Sequence, residues 1–312
     1  MDIYSVLEVS YMRHAIIMNK SYILMIVAGL LWGTTGTAEH FAPSGANPLL
    51  IGFFRIFFAG LFLLLADMPR NGIGIFKGPW PWKPCLGSAV GMGFYQLFFF
   101  AALPRTGVAV GTMVAMGSAP VMAGIIGYIF FSERPTTRWL IATALAIGGC
   151  CFLAIPSGNH DMNTSGIILA LMAGLCWAVA GSSMKKLPPS RSPLEKAAIM
   201  LILGSVIISP VLVFGDIPLI FSMRGTAVIL HLSLMATAIP YTLFAMGIGS
   251  VPLSTAYTLS LVEPLTASCL GILLLREALT MRTSIGIIMI FAGLVTLSIK
   301  RETSAQAFSK TI

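Results

Sequence analysis

Residues 106–155, TGVAVGTMVAMGSAPVMAGIIGYIFFSERPTTRWLIATALAIGGCCFLAI, and residues 250–299, SVPLSTAYTLSLVEPLTASCLGILLLREALTMRTSIGIIMIFAGLVTLSI, decide the fold of this chain. Each is a long apolar run, a short polar turn and a second apolar run. A helix rises about 1.5 Å per residue, so each run is long enough to cross a hydrocarbon layer roughly 30 Å thick. Placed at an offset of 144, the two stretches share Pro120/Pro264, Ala123/Ala267, Gly127/Gly271, Glu133/Glu277, Thr136/Thr280, Arg138/Arg282, Ile141/Ile285, Gly149/Gly293 and Leu153/Leu297. Apolar sequence produces chance matches, but Pro, Glu, Thr, Arg and Gly recurring at one offset indicate a duplicated hairpin.

The rest of the chain extends this pattern. Of 312 residues, 57% are hydrophobic and only 10% charged, where a soluble domain carries about a quarter charged. The runs predict ten transmembrane helices, over 22–42, 47–66, 85–103, 107–131, 138–155, 165–186, 194–214, 225–248, 253–275 and 282–299. The first is too long for the apolar region of a signal peptide and lacks a clean small-residue cleavage site. Met18, just before Asn19-Lys20, offers an alternative start. The net charge of +8 comes from basic residues placed between apolar runs, which points to a membrane and away from nucleic acid. Five cysteines without a C-x-x-C pair read as small reduced hydrophobes, and four histidines show no zinc spacing.

Basic residues cluster on one side of the bilayer. With the N-terminus inside, fourteen of the nineteen Lys and Arg fall in inside segments and four outside, while Arg55 lies within a span. This bias predicts both termini in the cytoplasm and a multi-pass protein of the bacterial inner membrane. A second offset, 145, aligns the first and sixth helices: Ala28-Gly29-Leu30 with Ala173-Gly174-Leu175, Trp32 with Trp177, and Gly36 with Gly181. Each half then holds five helices, an odd number, so the halves enter the membrane in opposite senses. The expected fold is an all-α integral membrane protein made of two inverted five-helix repeats. Its parts are a cytoplasmic N-terminal segment (1–21), a first repeat (22–155), a linker (156–164), a second repeat (165–299) and a cytoplasmic tail (300–312). Inverted repeats are a recurrent plan for transporters, with the site at the midplane between halves.

Two runs carry a resemblance to a known family: Ser118-Ala119-Pro120 through Glu133-Arg134-Pro135-Thr136 to Gly148-Gly149, and Val262-Glu263-Pro264 through Arg276-Glu277-Ala278-Leu279-Thr280 to Gly293. With Gly29-Leu30-Leu31-Trp32-Gly33 and Phe53-Phe54-Arg55, they make nearly the whole chain resemble the ten-helix EamA-domain proteins of the drug/metabolite transporter superfamily. The resemblance implies a basket with a central cavity lined by helices 1, 3, 4, 6, 8 and 9. It also implies transport of amino acids or related metabolites, commonly export.

Several residues are candidates for the site. Glu263 lies halfway along the ninth helix, where a carboxylate is expensive and must be paired, protonated or wet. It reads as a ligand for a substrate amine or as a proton-coupling group, with a structural bond beside Pro264 as the alternative. Tyr257 and Ser260 precede it at helical spacing and predict a pocket wall, against the plainer reading of a polar helix seam. Trp32 and Trp177 sit within their helices, away from the interfaces where Trp usually anchors. Together with Tyr95, Gln96 and Tyr241 they complete the expected substrate-binding set. Arg55 could grip a carboxylate through its planar fork. The resemblance, however, places an Arg here in relatives with different substrates, which favours a structural ion pair with Glu39. Glu39 is the second candidate for proton coupling. Pro120 and Pro264 are expected to kink equivalent helices, and Glu133 to cap or pair locally with Arg138.

No G-x-x-x-x-G-K loop is present, so no ATP hydrolysis is expected. The expected function is secondary transport of small organic metabolites by alternating access, without cofactor or metal and with protons as the coupling partner if there is one. An integral-membrane enzyme, or a multidrug or amine exporter of the same architecture, is the alternative. The substrate, direction and oligomeric state are not encoded in any motif.

Overall fold

The computed structural model describes residues 20–72, 78–154, 163–214, 217–276 and 278–298. Met18, Glu277 and nearly all of the two terminal segments and the 156–164 linker lie outside this set. Ten helices are long and apolar enough to cross a membrane: α1 (Lys20–His40), α2 (Pro48–Pro69), α3 (Trp82–Thr106), α4 (Val110–Phe131), α5 (Thr137–Ala154), α6 (Thr164–Lys185), α7 (Pro193–Val213), α8 (Met223–Ser250), α9 (Leu253–Leu274) and α10 (Met281–Ser298). Among the described residues there is no strand. The protein is thus an all-α, multi-pass membrane protein, as the runs predict.

Helix starts follow local chemistry. Asn47 accepts a bond from the Leu49 amide (2.9 Å) ahead of Pro48, and Asn163 does the same for Ser165 (2.9 Å). Ser192 and Glu195 form a reciprocal capping box around Pro193, and Ser222 caps α8 through Gly225. In each case a short polar side chain satisfies an amide that the first helical turn leaves free. Among the described residues four helices are irregular, α7 because it passes into a 3-10 segment at Ser209–Phe214, around Pro210. α1 has a turn at Gly33, α8 carries a π-helical segment at Leu234–Ala238 just before Pro240, and α9 divides into Leu253–Leu259 and Val262–Leu274. Pro264 and Pro240 withhold a backbone donor from the turn before them. Pro120 behaves differently: the helix Val108–Phe131 runs through it unbroken. The two proline sites thus differ in helical pattern: before Pro264, Ser260 and Leu261 leave the α-helix, whereas no break precedes Pro120.

Packing partners follow a simple rule. α3 packs on α6 and α7, α4 on α6, α8 on α1 and α2, and α9 on α1. Adding five to each helix number turns α3·α7 into α8·α2, α4·α6 into α9·α1 and α3·α6 into α8·α1. The contacts α2·α7, α4·α9 and α5·α10 map onto themselves. Individual residues obey the same rule. Gly174 on α6 faces Ser118 of α4, and Gly29 on α1 faces Val262 of α9, with Ser118 and Val262 separated by 144. A Cβ on Gly149 would meet the Gly286 carbonyl, and one on Gly293 the Ala142 carbonyl, both at 2.6 Å. Such seams need the bare glycine surface for close helix approach. Among the described residues, Ser132 (φ 55°) and Arg276 (φ 57°), also 144 apart, are the non-glycine residues with left-handed backbone, a conformation uncommon outside glycine.

Candidate functional site

The middle of the bundle is built from aromatic rings contributed by both halves. Trp32 of α1 meets Trp177 of α6 edge-on, with centroids 5.6 Å apart, and meets Tyr241 of α8 at 5.1 Å. Trp177 in turn contacts Tyr257 of α9 at 4.6 Å and Tyr95 of α3 at 6.2 Å. The first three are edge-to-face contacts, the arrangement that ring quadrupoles favour, while Tyr95 and Trp177 are tilted by 31°. All five side chains are buried. The structure therefore brings together Trp32, Trp177, Tyr95, Tyr241 and Tyr257, and they touch one another directly. Phe244, one turn beyond Tyr241, completes the cluster against Trp32 (5.6 Å) and Tyr257 (5.6 Å). Sequence reasoning missed Phe244 among nineteen phenylalanines; its spacing of three from Tyr241 was the available signal.

Polar atoms tie this cluster to the backbone. The Tyr257 hydroxyl donates to the Trp177 carbonyl (2.5 Å), and the close approach depends on Gly181, where a Cβ would collide with that hydroxyl. The Tyr241 hydroxyl points at the Met92 sulfur, 3.9 Å away. Gln96 donates through Nε2 to the Gly52 carbonyl of α2 (3.1 Å), while its Oε1 is buried without a partner. Ser260 turns back on its own helix and donates to the Ala256 carbonyl (3.0 Å).

The expected stripe of Tyr257, Ser260 and Glu263 spans a break in α9. The Leu261 amide bonds Thr258 and the Glu263 amide bonds Ser260, each three residues back. These tighter turns separate the two parts of α9, and turns of this kind stack positions three residues apart over one another. Glu263 enters the first turn of the second half-helix, Val262–Leu274, where the positive end of the helix dipole favours a negative charge. Its backbone is pressed against α1, because a Cβ on Gly33 would lie 2.8 Å from the Glu263 carbonyl.

Arg55 and Glu39 depart from the expected pair. They close no ion pair; the buried Nε of Arg55 and Oε1 of Glu39 have no hydrogen-bond partner. Arg55 nevertheless exerts its charge on both Glu39 and Glu263, and on the hydroxyls of Tyr95 and Tyr241. It is thus the cation common to both acids and the aromatic cluster. Glu39 lies in the last turn of α1; earlier on that helix, Thr34 shares a hydrogen bond with His231 of α8 (3.0 Å).

At another end of the bundle Glu133 does not pair with Arg138. Its two oxygens take Lys185 Nζ of α6 (2.7 Å) and the Leu253 amide at the start of α9 (2.6 Å), and Lys185 also reaches the Val251 carbonyl (2.6 Å). Arg138 donates to the Thr296 carbonyl of α10 (2.5 Å). An open groove of about 730 Å³ lies away from the aromatic cluster, between α4 and α5, lined by apolar residues such as Ile125, Tyr128, Trp139 and Leu140.

Comparison with known proteins adds a chemical context to this geometry. The family model described as the EamA-like transporter family matches twice, over residues 19–155 and 164–299. A Bacillus subtilis protein, the uncharacterized transporter YwfM, is 37% identical over 93% of this chain and 98% of its own length. The threonine/homoserine exporter RhtA of Escherichia coli is 26% identical over 74% of this chain and 79% of its own. A crystal structure superposes with a TM-score of 0.76 at 17% identity, covering 88% of this chain and 95% of that one.

Proposed function

The chain belongs to the EamA-like transporter family, and from that premise we propose that it is a secondary transporter that exports small organic metabolites, amino acids or related compounds, across the bacterial inner membrane by alternating access. The observation that carries this reading is the placement of Glu263. It opens a half-helix inside the bilayer, beside an aromatic cluster to which α1 and α3 of one half and α6, α8 and α9 of the other all contribute rings. Discontinuous helices whose ends point into the membrane interior are the usual means by which carriers present charge to a solute.

The two matches to one family model and the five-step rule of helix packing support two inverted repeats, 22–155 and 165–299. Exchange of their conformations would expose the centre to each side in turn. The direct ring contacts between Trp32, Trp177, Tyr241 and Tyr257 suit a state in which the centre is shut. Trp32, Tyr95, Gln96, Trp177, Tyr241, Tyr257 and Ser260 are then the wall that a solute meets when the halves part, and Glu263 is the ligand for its amine. Proton coupling, where present, falls on Glu263 or Glu39, the two carboxylates within reach of Arg55. The name of RhtA makes threonine the natural first probe.

Purified protein in liposomes, loaded with unlabelled threonine and given labelled threonine outside, tests the proposal by counterflow. We expect saturable uptake, and we expect Glu263→Gln to lower flux at least about tenfold, the cost of one lost charged hydrogen bond, while folded yield changes little. Equal loss of flux and yield would make Glu263 a structural residue. Chemical conversion of the solute would favour an enzyme.

A further inference from the structure

The groove between α4 and α5 plays no part in the central site and has a construction of its own. It holds about 730 Å³ and is walled by residues within 121–129 of α4 and 135–147 of the turn and α5. Ile125, Tyr128 and Leu140 on its walls are exposed, so in a multi-pass membrane protein the groove opens toward lipid. Its volume falls within the range of about 300–1,000 Å³ of pockets that hold a small ligand. At about 1.5 Å per residue it runs about 12 Å along α4 and about 15 Å along the helical part of its α5 wall. That is the depth of one leaflet of a hydrocarbon layer roughly 30 Å thick.

The floor of the groove is apolar by arrangement. A Cβ on Gly124 would lie 2.9 Å from the Trp139 ring, so the indole rests against bare backbone of α4. The polar atoms of the floor are turned inward: Trp139 Nε1 donates to the Thr258 hydroxyl of α9 (3.0 Å), and the Thr143 hydroxyl shares a bond with the same group (2.9 Å). The turn at the end of the groove has the opposite character. Arg134 is exposed, adjoins Pro135 of the groove wall and closes no ion pair among the described residues. The neighbouring acid, Glu133, is occupied by Lys185 and the Leu253 amide. α5 begins here with no acid in its first turn, so the positive end of its dipole adds to the charge of Arg134. The internal repeat does not account for these features. An offset of 144 places Ser268, Thr283 and Ala278 where Gly124, Trp139 and Arg134 stand, so the floor glycine, the indole and the rim cation occur in one half only.

We propose that this groove binds an anionic glycerophospholipid of the adjoining leaflet, with one acyl chain lying over Trp139 between α4 and α5 and the phosphate held at the turn by Arg134 and the start of α5. The two ends of the groove match the two ends of such a lipid, an apolar strip one leaflet deep and a cation at the headgroup level. Basic groups beside clefts between membrane helices retain anionic lipids in this way. Trp139 passes the contact on to Thr258, the neighbour of Tyr257 in the aromatic cluster, so the bound chain braces the first part of α9 from outside. The proposal needs the membrane-spanning fold and does not depend on the transport reading.

The test is photolabelling of the full-length protein in phosphatidylcholine vesicles that contain a trace of a lipid with a diazirine in its acyl chain. The labelled lipid is supplied once as phosphatidylglycerol and once as phosphatidylcholine, and peptide mass spectrometry reads the positions reached. Labelling by the phosphatidylglycerol should concentrate at Ile125, Tyr128 and Leu140 and exceed that by the phosphatidylcholine about fivefold, the value of one basic residue beside an anionic lipid. Ile288 and Phe291, exposed on α10, should be labelled equally by both. Arg134 is exposed and unpaired, so Arg134→Gln removes the rim cation without disturbing packing; it should bring groove labelling by the two lipids to equality. Ala144→Phe, at an exposed position of the groove wall, should lower groove labelling by both lipids and leave α10 unchanged. Equal groove labelling by the two lipids in the unaltered protein overturns the proposal, as does a preference that survives Arg134→Gln. Groove labelling no denser than that of α10 also overturns it, because ordinary contact with the bilayer would then suffice.

Discussion

At the scale of single residues, the contact of Gly181 with Tyr257 shows how little room the centre has. Tyr257 is fully buried, and its hydroxyl occupies the place where a side chain on Gly181 would begin. Overpacking a rigid interior costs about 1–3 kcal/mol. We therefore expect Gly181→Ala to lower the melting temperature of the detergent-solubilised protein, and Tyr257→Phe added to it to restore part of the loss. The two changes would then be strongly non-additive, as for residues in contact. Simple addition would show that the hydroxyl is not what fills the space. The hydroxyl pair of Thr258 and Thr143 (2.9 Å), which also receives the Trp139 indole N–H (3.0 Å), shows the same economy at the α5–α9 contact: three polar side chains from two helices satisfy one another without water.

At the scale of helices, α5 and α10 meet along glycines that the sequence repeat already pairs. Gly149 lies against Gly286 and Ile290, and Gly293 against Ala142 and Ala146. Because the two positions are equivalent across this seam, Gly149→Val and Gly293→Val should lower folded yield by similar amounts, read as the monodisperse fraction in gel filtration; a loss confined to one of them would mean that the seam is not symmetric. This level was the most legible in the sequence. Apolar runs and Asn or Ser caps locate helices because both depend on local chemistry alone. α9 marks the limit. Its apolar run reads as one continuous helix, but the missing donor of Pro264 and the inward bond of Ser260 divide it at Ser260 and Leu261. The aromatic cluster was legible for a different reason: Trp and Tyr in mid-helix have few places to go in a bilayer other than the bundle interior. The open Arg55–Glu39 pair was not, since charge complementarity does not reveal the register between two helices.

At the scale of the whole molecule, the proposed repeats of five spans each would fix the parity of the chain. Under the proposed arrangement both ends fall on one side, and the concentration of Lys and Arg makes the cytoplasm the expected side. Labelling with a membrane-impermeant thiol reagent, after single cysteines are placed at residues 5 and 308, should reach both positions from the cytoplasmic side of inverted vesicles and neither from intact cells. Labelling of one end only from each side would exclude the two-by-five arrangement. Such a repeat would account for a centre assembled from five helices rather than one, because an axis relating the halves would run through residues drawn from both.

Lys185 joins three segments at once, the end of α6, the turn after α4 and the approach to α9. If the halves separate on this face during each cycle, that three-way clasp has to be undone and remade every turnover. Its strength then belongs to the speed of the carrier as well as to its stability, and because the clasp is ionic and sits at one rim of the bundle, the two aqueous compartments cease to be equivalent. Salt added to the compartment that bathes Lys185 would accelerate the step that unfastens it, whereas the same salt across the membrane would leave that step untouched.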